Sequence, residues 1–355
     1  MHAILLSPSS FEWMRLLEKV HADIYYLPDY VEACAQWEGG EGFLFAATED
    51  ENIWIQPLII RPIPGELTPG RQLFDAVSPY GYSGPLAVVA NGQESPWAAR
   101  ATARLKACLA KRSVVTAFIR LNPILKKDSA GLAAGEHLTL RGKTVVVDLK
   151  RSDEHLWNDI RANHRRHINR LLRSGFTATM TNDAEQFEEF QEVYRHTMAR
   201  VGASDFHMGL SDYLCDICAQ YPKNFHICSV KNGQETACIG LFTEINGIVQ
   251  YHLSGTVDKY RPLCPSKLML HCMTLWAKRR KNEFFHLGGG VGSTSDSLMH
   301  FKIGFSPASL PFYTWDLVIN QNSYSALERQ HSSINPEAPI NSHFFPAYRS
   351  ARFQG

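Results

Sequence analysis

Apolar and polar positions along this chain follow two periods, and the switches between them mark out its elements. Period-two alternation and short continuous apolar runs predict strands at 3–6, 43–48, 53–62, 73–77, 86–89, 114–121, 139–149 and 176–181. The same signal recurs at 225–230, 235–245, 248–256, 284–287 and 310–319. Asn246-Gly247, set between two of these runs, is a strong two-residue hairpin signal. Helical spacing predicts helices from Ser9 or Ser10 to about residue 20, over 27–37 with Pro28 in the first turn, and over 95–110. Further helices are predicted from Asn182 or Asp183 to about 200, over 211–221 and over 265–281. The stretch 152–173 reads as one continuous helix, with Ser152 as N-cap, Asp153 and Glu154 in its first turn and Gly175 beyond its end. Its expected inner stripe is Trp157, Ile160, His164, Ile168, Leu171 and Leu172, with Arg161, Arg165, Arg166, Arg170 and Arg173 on the other faces.

The order of these elements occurs twice. The hairpin 43–62, a third strand within 73–89, the helix 95–110 and the strand 114–121 mirror the hairpin 225–245, the strand 248–256, the helix 265–281 and the strand 284–287. Residue identity between the halves is slight, so the repeat is one of architecture. Three antiparallel strands, then a helix crossing to a strand parallel to the third, make an α/β sandwich. That order resembles the core of the GNAT acyltransferase fold. The expected fold class is therefore α/β, with two tandem GNAT-like domains, each a mixed, mostly antiparallel sheet flanked by helices. The expected boundaries are 1–145, 146–320 and a polar, Pro-rich tail 321–355 that packs on the domains or is partly disordered. In the GNAT fold the third strand and the strand after the helix splay apart around the acyl donor. In the second half that gap falls between 251–256 and 284–287.

Composition narrows the function classes. At 355 residues the chain is long enough for two domains of ordinary size. The formal net charge is only +1, so no global field draws the protein to nucleic acid or to a membrane, and an anionic ligand must be met by a local basic patch. No stretch approaches the ~20 apolar residues of a membrane span. The N-terminal apolar run lacks a basic flank and a small-residue cleavage site, so a cytoplasmic protein is expected. Eight scattered cysteines read as reduced thiols. Cys215-x-x-Cys218 has no second Cys or His pair at zinc spacing near it, and no metal is expected.

The candidate chemistry gathers in 284–307. A short apolar strand runs into Gly288, Gly289 and Gly290, which permit positive φ and a close ligand approach. A helix opening near Ser295 or Asp296 then carries Phe301, Lys302 and Phe305. Asp296 is the expected cap of that helix. Tyr251 and His252, adjacent on the preceding strand, are expected to face opposite sides, and His252 can titrate near neutral pH as a general base. The reading of His252 as a structural histidine stays open beside it.

The run Tyr251-His252-Leu253-Ser254-Gly255, with Tyr260, Pro265, Leu268, Ala277, Leu287-Gly288-Gly289-Gly290, Asp296-Ser297-Leu298 and Phe301-Lys302-x-x-Phe305, resembles the FemAB-like family of aminoacyl and acyl transferases and its BioF2-like relatives. Tyr80-Gly81-Tyr82-Ser83-Gly84-Pro85 looks like that family's tyrosine–glycine–glycine–proline loop. The resemblance covers roughly residues 25 to 320. It implies acyl or aminoacyl transfer from an activated donor to an amine of a small or cell-envelope-precursor acceptor, with Lys302 stabilising charge at the donor carbonyl. Substrate contacts are expected at Tyr80, Tyr82, Tyr251, Gly288, Gly289, Gly290 and Phe301, with plain packing the alternative reading of the two tyrosines of the 80–85 loop. No permanently bound cofactor is implied; acyl-CoA or aminoacyl-tRNA would be a co-substrate. Two departures bear on the donor. The long helical arm of the bridge-forming members is missing, which favours acyl-CoA or another carrier over tRNA. The loop 258–266 holds no glycine, whereas the GNAT loop that cradles the CoA pyrophosphate is glycine-rich. Lys259, Arg261 and Ser266 are the candidate phosphate contacts there, with Arg165 on the basic helix. The alternative is a non-catalytic module of the same fold that binds a phosphorylated ligand or a protein partner. A third reading has the basic helix 161–173 bind RNA.

Overall fold

The structure is a computed structural model that describes residues 1–89, 94–125, 138–203, 214, 217, 218, 221–290, 296–335 and 344–353. The chain forms two compact units, Met1–Leu140 with Tyr313–Gly355, and Arg141–Phe312. The boundaries read from sequence lie at 145/146 and 320/321; the units divide at 140/141 and 312/313, so residues 313–319 and the tail join unit 1.

The first part of unit 1 comprises β1 (His2–Leu6), α1 (Phe11–Leu17), α2 (Pro28–Glu38), β2 (Glu41–Glu49), β3 (Asn52–Pro62), β4 (Phe74–Val77), β5 (Leu86–Val88), α3 (Glu94–Lys111) and β6 (Val114–Arg120). Pro28 stands in the first turn of α2, where its missing N–H costs nothing, and Gly39 ends that helix at φ +68°. β2 pairs antiparallel with β1 and β3, β3 with β4, and β4 runs parallel to β6. β5 also pairs with β3, so the third strand of this half is interrupted by residues 78–85. Phe45, Trp54, Trp97, Leu105 and Trp315 lie in the core of the unit.

Unit 2 is built from β7 (Leu138–Asp148), α4 (Asp153–Asp159), α5 (Ala162–Arg173), β8 (Phe176–Thr181), α6 (Ala184–Arg200), β9 (Phe225–Asn232), β10 (Glu235–Ile245), β11 (Ile248–Thr256), α7 (Ser266–Arg279), β12 (Phe284–Gly288) and α8 (Ser297–Ile303). Its strand order is β7-β12-β11-β10-β9-β8. β8 to β11 form an antiparallel set, β12 runs parallel to β11, and β7 closes antiparallel on β12. α6 packs on β9, β10 and β11, while α7 packs on β8, β9, β10 and α5. The core gathers Leu268, Met269 and Met273 of α7 with Phe242, Phe285 and Leu287 of the sheet.

The chain then returns to unit 1 with β13 (Ser309–Val318), which pairs antiparallel with β6, and α9 (Gln321–Ile334). The tail anchor is built into the unit. Tyr348 Oη lies 2.8 Å from Thr116 Oγ1, Arg349 Nη2 donates to Pro62 O at 2.8 Å, and Arg349 also pairs with buried Asp75.

Both units thus share the order antiparallel hairpin, third strand, helix, parallel strand, and the fold is the tandem α/β arrangement expected. The predicted single helix over 152–173 is instead two. Ile160 leaves α4 with extended ψ, and the Arg161 N–H donates to Gly304 O at 2.8 Å, a tertiary partner that outcompetes helix continuation. Within α5 the stripe of His164, Ile168 and Leu171 is buried as expected, while Leu172, one position further round the helix, is 49% exposed. Cys215, Ser295, the loop 126–136 and most of the predicted helix 211–221 lie outside the described residues. Among the described residues, no helix is long and apolar enough to cross a membrane and no cluster of three His, Cys, Asp or Glu could hold a metal.

Candidate functional site

β11 is nine residues long, yet it meets β12 at only three rungs, Ile248↔Phe284, Val249↔Phe285 and Gln250↔His286. Past that point the two strands part. Each strand also shifts register against its other neighbour there: β12 against β7 between His286 and Gly288, and β11 against β10. Leu241 pairs with Leu253 but Phe242 pairs with Tyr251, so His252 is the extra residue of a β-bulge. A bulge bends its strand and re-aims a side chain. The alternation expected of Tyr251 and His252 is therefore broken at His252. Burial pushes the His252 imidazole down to about 4, so it is neutral at pH 7 and a weak base.

On the other side of the gap, β12 ends at Gly288 with φ +74°, a conformation glycine enters without Cβ strain. The chain turns there, and the next carbonyl, that of Gly289, accepts a hydrogen bond from Lys302 Nζ at 2.7 Å. The same ammonium lies 5.7 Å from the centre of the Tyr251 ring. Lys302 thus stands at the mouth of the splay, one residue past the last rung on β11 and three past it on β12. It is 8% exposed. Burial pushes its pKa down to about 8, with Asp296 pulling the other way. Most Lys302 ammoniums therefore keep their charge at neutral pH. Beneath it, at the last rung, His286 Nδ1 lies 2.7 Å from Gln250 Oε1, and burial followed by the nearby Lys302 charge pushes the His286 imidazole down to about 3. Tyr251 stacks on Phe242 at 5.4 Å and bonds Ser254, and burial pushes its phenol up to about 12.

α8, which carries Lys302, starts as the sequence suggests. Asp296 Oδ1 accepts from Met299 N at 2.8 Å and caps it. Its other face opens on a cavity of about 400 Å³ within unit 2. Phe301, His300 and Ser297 of α8 form one wall; Arg161, Asn163 and His164 at the start of α5 form another. Arg200 from the end of α6, Thr256, Arg261 and Cys264 from the loop after β11, and Ser266 and Lys267 at the N-terminus of α7 complete it. Four of these side chains are arginine or lysine. Lys267 is 6% exposed, its Nζ 3.1 Å from His167 Nδ1, and burial lowers its pKa. Among the described residues, only Arg200 of the four meets a carboxylate, that of Asp258. These side chains and the N–H groups of the α7 N-terminus give the cavity a positive lining.

Of the phosphate contacts expected from sequence, Arg261 and Ser266 line the cavity. Lys259 does not: it pairs with Glu235 at 2.6 Å on the surface. Arg165 also lies elsewhere, donating to the carbonyls of Trp157 and Asn158 at the end of α4. Arg200 and Lys267 were not foreseen; a lysine directly after a helix-opening Pro-Ser pair was the available signal for Lys267. Gly290 follows the turn at the mouth of the gap. Tyr80 and Tyr82 belong to unit 1. They are half-buried, with Tyr80 edge-on to Trp37 at 6.3 Å and Tyr82 edge-on to Tyr25 at 6.0 Å. In that unit the gap corresponding to the splay is filled by the chain itself. Ser78 O accepts from Arg120 Nη1 at 3.1 Å, Tyr82 O accepts from Asn122 Nδ2 at 3.1 Å, and Ser83 O accepts from Gln56 Nε2 at 2.7 Å.

Residues 158–302 match the family model of the acetyltransferase (GNAT) domain. No curated protein matches the chain. Among solved structures it is similar to FemX, at 13% identity over 92% of this chain and 99% of that one, with a TM-score of 0.67. It is also similar to the C-terminal DUF2156 domain of a protein described as a lysylphosphatidylglycerol synthetase from Agrobacterium fabrum, at 14% identity, 91% and 96% coverage and a TM-score of 0.53. A conserved protein of unknown function from Bacteroides thetaiotaomicron matches at 10% identity, 81% and 90% coverage and a TM-score of 0.53. At these identities the likeness is one of fold, and it agrees with the FemAB-like resemblance read from the sequence.

Proposed function

From an acyltransferase whose residues 158–302 form a GNAT-type domain and whose fold is that of FemX, we propose the transfer of an acyl or aminoacyl group to an amine. The donor is activated and phosphate-bearing, an acyl-CoA or another carrier in preference to aminoacyl-tRNA. The acceptor is a small or cell-envelope-precursor amine, and the reaction runs in the cytoplasm without a covalent enzyme intermediate. One observation carries this reading: Lys302 at the mouth of the splay and the cationic cavity are joined by a single short helix. A donor whose phosphates sit among Arg161, Arg200, Arg261 and Lys267 can extend its acyl carbonyl past Phe301 toward Lys302.

The chemistry then follows. The acceptor nitrogen attacks the donor carbonyl carbon, the carbonyl oxygen takes the electron pair, and the Lys302 ammonium meets that developing charge in a site that excludes water. Collapse breaks the carbon–sulfur or carbon–oxygen bond and releases the carrier. The amine proton passes to solvent or to neutral His252, whose low pKa makes it the lesser contributor.

Incubating the purified protein with a panel of acyl-CoAs and aminoacyl-tRNAs, each with amine acceptors, tests the reading by amide formation. Acyl-CoA turnover is the expected result. A second reading, a module that binds a phosphorylated ligand without turning it over, draws on the weak basicity of His252 and the glycine-free loop 258–266. Tight binding of CoA with no amide product from any donor would favour it.

A further inference from the structure

Two residues that wall the cavity also hold the helix that carries Lys302. Arg161 donates its backbone N–H to Gly304 O, and its Nη1 lies 2.6 Å from His300 Nε2. A guanidinium only donates, so the imidazole nitrogen accepts. His164, on the first turn of α5, has Nε2 3.0 Å from the Phe301 carbonyl. A carbonyl only accepts, so Nε2 carries the hydrogen. Burial, with the charges of Lys267, Arg161 and His167 around the ring, pushes its pKa down to about 4 despite that bond, so the ring stays neutral. The ring also packs on Phe301 at 5.5 Å and Phe305 at 4.9 Å. Residue 304 has to be small for this contact, because a Cβ there would stand 2.3 Å from His164 Nε2. α8 has seven residues. A helix that short does not hold its own shape in water, so tertiary contacts fix its place. Asp296 secures one end; Arg161 and His164 secure the other.

We propose that His164 is a positioning residue for Lys302: by gripping Phe301 and seating against Gly304 it sets where α8 delivers the ammonium into the splay. This rests on the reading that Lys302 serves the transfer step. The groups facing Lys302 are Tyr251 from β11, His286 from β12, the Gly289 carbonyl and Asp296 from its own helix. A shift of α8 draws the ammonium away from them and admits water. Its pKa then climbs from about 8 toward the ordinary lysine value.

The test compares His164→Phe, His164→Gln and Gly304→Ala with the wild type. Competitive acetylation of Lys302 by acetic anhydride across a pH series, read by peptide mass spectrometry, gives its pKa without any substrate. His164→Phe and Gly304→Ala are expected to raise that pKa by about one unit or more. They should also lower kcat about 10-fold, with the donor KM changed less than about twofold. His164→Gln, whose amide N–H still reaches the Phe301 carbonyl, should stay within about threefold of wild type. An unchanged Lys302 titration in folded His164→Phe overturns the proposal, as does His164→Gln behaving no better than His164→Phe. If Lys302→Ala keeps full turnover, the transfer reading fails on its own, and the labelling result still decides the role of His164.

Discussion

Lys302 joins a surface-type residue to a buried position, and its charge state follows from that. Burial holds its pKa near 8, so the cation is present at neutral pH and is lost as the pH rises through that value. If the cation meets the oxyanion, kcat should fall on the alkaline side with a midpoint near 8. In Lys302→Arg, which stays charged throughout, that limb should vanish even where the rate is low. A pH–kcat series on the two proteins checks this; an alkaline limb that persists in Lys302→Arg would assign the titration to another group. Much of this residue's setting was legible in the sequence, from the three glycines, the Phe-Lys-x-x-Phe spacing and the Asp cap. The role of His252 was less so. Its bulge arises from pairing with β10, and strand alternation within β11 carries no trace of it.

At the scale of elements, the break between α4 and α5 matters most to the site. Local signals favour one helix there: a Ser cap, acidic residues in the first turn and no proline or glycine inside. The competing bond, Arg161 N–H to Gly304 O, spans most of the unit in sequence and could not be read locally. Yet the break is what brings Arg161 and His164 to the cavity and to α8. The loop after β11 tells the same story in its chemistry. Without glycines it offers few close backbone N–H groups, and the cavity answers with side-chain cations from three helices and the loop itself. Arg261→Ala should therefore raise the donor KM about 10-fold and leave kcat nearly unchanged, which steady-state kinetics will show. An effect confined to kcat would remove Arg261 from donor binding. The matching site in unit 1 has taken another course, since residues 78–85 occupy it through hydrogen bonds to Arg120, Asn122 and Gln56.

At the scale of the whole molecule, a net charge of +1 coexists with a cavity lined by four cationic side chains, so donor binding there should weaken as salt rises. The repeat of architecture was visible in the order of strand and helix patterns. The path of the chain's end was not, because the 344–348 aromatics signal an anchor without naming its socket. That socket is Asp75, shared by Arg61, Arg349 and Tyr348 in the core of unit 1. Arg349→Ala removes one cation from a buried carboxylate and should cost about 3–5 kcal/mol in denaturant unfolding. A loss below about 1 kcal/mol would show that the tail does not stabilise the unit.

The most direct test of the central claim is single-turnover amide formation by Lys302→Ala with a donor that the wild type accepts. Loss of a preorganised charge at the oxyanion predicts a rate lower by about 100-fold or more, with donor affinity within about threefold of wild type. A rate equal to that of the wild type would contradict the assignment of Lys302 to the transfer step.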